Sequence, residues 1–108
     1  MTSEPLDAVW HELRRRYRDS LPAKREQLAA AWDAARNRPG DHAVWSELEA
    51  CAHRLSGSAA SYALPAVAAA ASELEQLVTD AAATEAQMQD AVEALDRVLV
   101  GASGPTSR

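Results

Sequence analysis

The sequence predicts an all-α protein, an antiparallel up-down four-helix bundle with a short additional N-terminal helix. Three observations lead there. Apolar residues recur at three- and four-residue spacing in five successive segments. Alanine is abundant while isoleucine and phenylalanine are absent, which favours helix over strand. No window alternates with period two, and the Pro- and Gly-bearing breaks between segments are short, which makes neighbouring helices antiparallel.

The first helix starts at Pro5, whose missing N–H costs little in a first turn. Leu6, Val9, Trp10, Leu13 and Tyr17 line one face, and Pro22 marks the boundary with the next segment. The second helix is expected from Ala23 to Asn37, with Leu28, Trp32 and Ala35 inward. Basic residues and the Pro39-Gly40 breaker stop it. Asp41 is a good N-cap for a third helix that should reach about Ser61. Tyr62 to Leu64 connect, and Pro65 opens a fourth helix with Val67, Ala70, Ala71, Leu74, Leu77 and Val78 as its stripe. Its alanine run permits close helix–helix approach. Thr79 to Ala83 is the next break. Thr84 and Gln87 form a capping box for the last helix, which carries Met88, Ala91, Val92, Leu95, Val98 and Leu99. Gly101 is expected to end it. A chain of 108 residues fits one domain, here residues 5–100, between a loose segment 1–4 and a disordered tail 101–108.

The third helix carries the most information. On a wheel of about 100° per residue, Leu48, Ala52, Leu55 and Ala59 form one apolar sector, extended by Trp45 and Tyr62. His53 points about 140° away from its centre. Ser46, Ala50, Gly57 and Ala60 stack near it, and none is long enough to cover the ring. Gly57 costs about 1 kcal/mol relative to Ala in a helix interior. Since the apolar pattern continues beyond it, either close packing or open access has to account for it, and its place beside His53 favours access.

These residues carry a resemblance. His53-Arg-Leu-Ser-Gly57-Ser-Ala, then Tyr62-Ala-Leu-Pro, then Ala71-Ser-Glu-Leu-Glu75, look like a histidine phosphotransfer (HPt) domain over roughly residues 5 to 100. The resemblance implies that His53 is the phosphorylated histidine and that Glu75 faces its Nδ1 from the neighbouring helix. It implies a surface for partners around Ser46, Ala50, Arg54, Gly57, Ala60 and Ser61. Two positions differ from the family pattern. Ser56 stands where a lysine is common, leaving a hydroxyl as the phosphate contact, and Ala63 stands where the following turn usually has glycine.

An imidazole is largely neutral near pH 7 and needs little tuning to be a nucleophile. Phosphoryl transfer asks chiefly for positioning and charge stabilisation. The chain has no Walker A sequence or glycine-rich nucleotide loop, so it is expected to be a phosphoryl carrier without kinase activity of its own. The resemblance makes the donors and acceptors response-regulator receiver domains and hybrid histidine kinases. No cofactor is expected on this chain, with Mg²⁺ on the receiver's side. A rival reading is an HPt-fold adaptor that binds signalling partners without phosphotransfer.

Net charge is −5, from 16 acidic and 11 basic residues, which argues against a general nucleic-acid or anionic-membrane partner. The run Arg14-Arg15-Arg16-Tyr17-Arg18 spreads around the helix among Glu12, Asp19 and Glu26, and reads as a solvated, ion-paired face. His11 and His42 read as solvated, and no His/Cys/acid cluster suggests a metal. The single Cys51 allows no internal disulfide and reads as a small packed hydrophobe. Without a signal-peptide pattern or a run of about 20 apolar residues, the expectation is a cytoplasmic monomer.

Overall fold

A computed structural model describes residues 4–103, with side chains from Leu6 onward. It contains five helices: α1 (Glu4–Asp19), α2 (Leu21–Asn37), α3 (His42–Ser61), α4 (Pro65–Val78) and α5 (Glu85–Ser103). There is no strand among the described residues. α3 packs along α4, α4 along α5, and α2 along both α3 and α5, so four helices close a ring around one core. α1 lies outside this ring, against α2 and α5, and reaches the C-terminal end of α3 through side chains: the Tyr17 hydroxyl lies 2.6 Å from that of Ser58. It is not short: its 16 residues exceed the 14 of α4.

The local signals act as chemistry requires. The Asp41 carboxylate accepts from the Ala43 N–H at 3.0 Å and caps α3. The Thr84 hydroxyl accepts from the Gln87 N–H at 3.1 Å, and the Gln87 side chain accepts from the Thr84 N–H at 2.8 Å, completing the capping box. Two boundaries differ from expectation by more than one residue. α2 begins at Leu21, with Pro22 inside its first turn, where no N–H is needed. The Lys24 N–H still reaches the Ser20 carbonyl at 3.2 Å, so α1 runs into α2 almost without a break. Gly101 does not end α5, which continues to Ser103. Ala102 packs against the core and the Ser103 hydroxyl donates to the Leu99 carbonyl at 2.9 Å, offsetting the glycine's cost. Of the segments expected to be loose, 1–4 and 101–108, Glu4 and residues 101–103 are helical, and residues 1–3 and 104–108 lie outside the described residues.

The core is made of leucines separated by alanines. Leu21, Leu28, Leu48, Leu74, Leu95 and Leu99 are fully buried, and so are Ala35, Ala52, Ala59 and Ala71. No polar or charged residue among those described is buried. Polar links sit at the rim. Arg25 grips Asp96 with two bonds of 2.7 and 3.2 Å, and the Trp32 indole donates to Gln89 at 2.7 Å, both joining α2 to α5. Cys51 is buried, and burial pushes its thiol above the usual range, as befits a packed hydrophobe.

The α3–α4 turn keeps the geometry of a glycine turn without a glycine. Ala63 has φ 60°, the left-handed region. The Leu64 N–H reaches back to the Ala59 carbonyl at 2.9 Å and the Ala63 N–H to Ala60 at 3.2 Å, a Schellman closure. Arg14 of α1 donates from Nε to the Tyr62 carbonyl at 3.0 Å, steadying that helix end. Because an L side chain is disfavoured there by about 1–2 kcal/mol, Ala63→Gly should raise stability by about 1 kcal/mol. A urea titration checks this, and an unchanged or lower midpoint would mean that the alanine side chain gains compensating contacts.

Candidate functional site

The site is built on the face where α3 packs along α4. Ala52 and Ala59 on α3 and Ala71 on α4 have no exposed surface, and side chains this small let the backbones come together. Leu74, also fully buried, fixes the rotation of α4 and turns the next residue, Glu75, towards α3. The result is a contact across 22 residues of sequence: His53 Nδ1 lies 2.8 Å from Glu75 Oε2.

The two partners differ in exposure. The His53 side chain is 74% exposed, whereas that of Glu75 is only 27% exposed. The carboxylate is therefore held against the bundle while the ring stands out from it. An ionised carboxylate can only accept, so in this pair Nδ1 carries the hydrogen and donates it. A neutral ring then has its free lone pair on Nε2. The arrangement can present one nitrogen nucleophile of fixed tautomer and fixed direction.

The surroundings of His53 are low and small. Gly57, Ala60 and Ser61 are exposed, Ala50 and Ser56 half-buried. A Cβ built on Gly57 would meet nothing within 4 Å, so close packing does not account for this glycine. Gly57→Ala should accordingly raise stability by roughly 0.5–1 kcal/mol through helix propensity alone. A urea midpoint measures it, and a destabilised variant would reveal a contact at this position.

The other residues singled out from the sequence fall around the site without joining the His53–Glu75 pair. Ser46 Oγ lies 3.2 Å from His42 Nε2, one turn towards the N-terminus. Arg54 donates to Glu47 at 3.3 Å, an exposed pair directed along α3. Ser56 has replaced the lysine of the family pattern, and no other cation stands nearby in sequence: Arg54 is the one Lys or Arg of α3, and α4 has none. The arginine run forms an ion-paired cluster in part only. Arg15 meets Glu12 and Asp19 at 2.7 and 2.9 Å, and Arg16 meets Glu12 at 3.0 Å. Hydrogen bonds from Arg15 and, next, Arg16 hold the Glu12 carboxyl below its ordinary range. Arg14 instead serves the α3–α4 turn, and Glu26 belongs to no ion pair among the described residues. Periodicity on α1 had no means of showing the Arg14 contact, because its acceptor lies 48 residues away.

A groove of about 680 Å³ runs between α2 and α5, lined by residues such as Arg25, Trp32, Arg36, Gln89 and Asp96. None of the residues around His53 lines it. Among the described residues no group of three or more His, Cys, Asp or Glu is placed to hold a metal ion, and no helix is long and apolar enough to cross a membrane.

Comparison with known proteins gives one result. A family model described as Hpt domain matches residues 12–101 of the chain. Neither the curated proteins nor the solved structures contain a match to it.

Proposed function

We propose, from the premise that this chain belongs to the Hpt domain family, a family of histidine phosphotransfer in phosphorelays, that His53 accepts a phosphoryl group from one receiver domain and gives it to another. The observation that carries the reading is the bond of 2.8 Å between His53 Nδ1 and Glu75 on an otherwise uncovered ring. It leaves Nε2 as the attacking atom.

In the forward step the Nε2 lone pair forms the N–P bond while the P–O bond to the receiver's aspartate breaks. The aspartate carboxylate leaves with the electron pair. The ring takes up positive charge, and its Nδ1–H stays bonded to Glu75. In the second step a carboxylate of the next receiver attacks phosphorus, and Nε2 recovers its lone pair. Because α4 has no Lys or Arg and Ser56 replaces the lysine, charge on the phosphoryl oxygens has to be met by the partner, whose Mg²⁺ supplies it when bound. Arg54, already engaged with Glu47, stays outside this role. The low rim formed by Ser46, Ala50, Gly57, Ala60 and Ser61 admits the receiver's active site over the ring.

The reading takes residues 5–100 as the working domain and the ring of four helices as an antiparallel up-down bundle. It puts the chain in the cytoplasm, with receivers and hybrid histidine kinases as partners. The Ser56 position motivates a second reading, an adaptor that docks receivers without taking phosphate.

The test is incubation with a panel of phosphorylated receiver domains, scoring acid-labile phosphate on wild type and His53→Gln. Labelling of wild type alone is the expected result. Equal labelling of both moves the acceptor elsewhere. Binding of a receiver with no labelling of either favours the adaptor.

A further inference from the structure

α1 carries an apolar face that its own domain does not cover. Leu6, Val9, Trp10 and Leu13 are four of the five large hydrophobic side chains exposed among the described residues, with Leu6 72% and Val9 56% exposed. Leu6, Trp10, Leu13 and Tyr17 follow one another at spacings of four, three and four, the seam of a two-helix coil. Within the chain this seam is met in part, by Tyr62. Tyr17 is buried and stacks on Tyr62 at 4.5 Å, and Trp10 also stacks on that ring, at 6.0 Å and with part of its surface exposed. Leu6, Val9 and Leu13 stay outside the core, and the molecule, 56 Å long by 27 by 20 Å, is elongated. Contiguous exposed apolar surface of this kind marks an interaction site.

The charges on α1 say what fits it. Residues 4–11 hold Glu4 and Asp7 and no Lys or Arg, whereas residues 12–19 hold four arginines against Glu12 and Asp19. The helix is therefore negative towards its start and positive towards its end, and its best complement is itself, reversed. Asp7 and Arg14 flank the apolar face on the same side, two turns apart. In an antiparallel pair related by a two-fold axis, that side of each helix meets the same side of the other. Each Asp7 then faces the Arg14 of the second copy. Arg14 uses Nε and Nη2 on the Tyr62 and Ala63 carbonyls, leaving Nη1 for the carboxylate. Neither Asp7 nor Arg14 makes an ion pair among the described residues.

We infer that this protein pairs with a second copy of itself through α1, antiparallel, with Leu6, Val9, Trp10 and Leu13 as the seam and Asp7–Arg14 as the flanking ion pairs. It departs from the monomer expected from the sequence. Four side chains per copy make a small patch beside the ~800 Å² per partner of a standard interface, which places the pair among weak, concentration-dependent ones. The face lies on a different helix from His53, and the inference does not depend on phosphotransfer.

Sedimentation equilibrium on the full chain from about 10 µM to about 1 mM tests it, with circular dichroism confirming that each variant is folded. The mass of wild type should rise with concentration towards twice that of one chain. Leu6→Glu, at an exposed position, should weaken the dimer at least about tenfold, the change expected of a charge placed in an apolar seam. Asp7→Arg and Arg14→Asp should each weaken it alone, and an equimolar mixture of the two should recover it, since the mixed pair restores both contacts. A single-chain mass throughout overturns the inference. A dimer insensitive to Leu6→Glu assigns another face, and failure of the mixture to recover rules out the antiparallel register. Should the chain stay monomeric while Leu6→Glu weakens receiver binding, the face belongs to the receiver.

Discussion

Glu75→Ala is expected to slow phosphoryl acceptance by His53 about a hundredfold at saturating receiver, with receiver affinity unchanged. The contact of 2.8 Å is the ring's one side-chain hydrogen bond among the described residues. Without it His53 can exchange tautomers and turn about its side-chain torsions, and Nε2 is aligned and unprotonated for only part of the time. A misplacement of about 1 Å in a positioned group can cost on the order of 10²-fold. Glu75→Gln should lose less, because its amide oxygen still accepts from Nδ1–H, but without the charge that offsets the imidazolium. Glu75 is a positioning residue under this account, so the informative measurement is a single-turnover rate against receiver concentration. A lowered plateau with an unchanged half-saturation point supports it. Equal plateaus for all three proteins would sink it, and a shifted half-saturation alone would make Glu75 a docking residue. Fold stability should hardly move, because removing a carboxylate at the rim is within about 0.5 kcal/mol of neutral.

How much of this could be read from the chain beforehand follows from the range of the forces. Asp41, Pro65 and the Thr84–Gln87 box act within one turn of backbone, so residue type and spacing were enough to place those helix starts. The burial of Leu48, Ala52, Leu55 and Ala59 followed from period alone. Leu21 was missed as a core residue because Pro22 read as a break, although a proline in the first turn leaves its neighbour free to be helical. Gly101 misled for the opposite reason: the local cost was real, but contacts of Ala102 with the core outweigh it. The His53–Glu75 pair spans two helices, and no periodicity fixes the rotation of one helix against another. Family resemblance supplied Glu75, and the buried alanines and Leu74 supply the physical reason. The anchoring of the α3–α4 turn by Arg14 had no signal at all in local sequence.

Leu48→Ala should be the most destabilising of the conservative truncations on α3, costing about 3–5 kcal/mol. Leu48 has no exposed surface and lies on the helix that carries His53. Truncation loses the transfer free energy of the removed carbons and leaves a cavity, and buried Leu→Ala changes cost 2.7–5.0 kcal/mol in a well-studied series. Relief by collapse is limited here. α3 and α4 already touch through alanines, and backbones separated only by methyl groups have little room left to close. Against a total of roughly 5–15 kcal/mol this is a large share, and for a domain of this size it lowers Tm by more than about 10 °C. The effect should fall on stability and not on chemistry. In the cold, where the variant is still folded, the single-turnover rate at His53 should stay within about twofold of wild type, since the Glu75 contact and the exposed rim are unchanged. That split is the reverse of the Glu75→Ala pattern, and the two variants together separate the platform from the group it presents. A stability from urea titration lowered by less than about 1 kcal/mol would show that α3 repacks freely. Its grip on the His53 ring would then have to come from Glu75 alone.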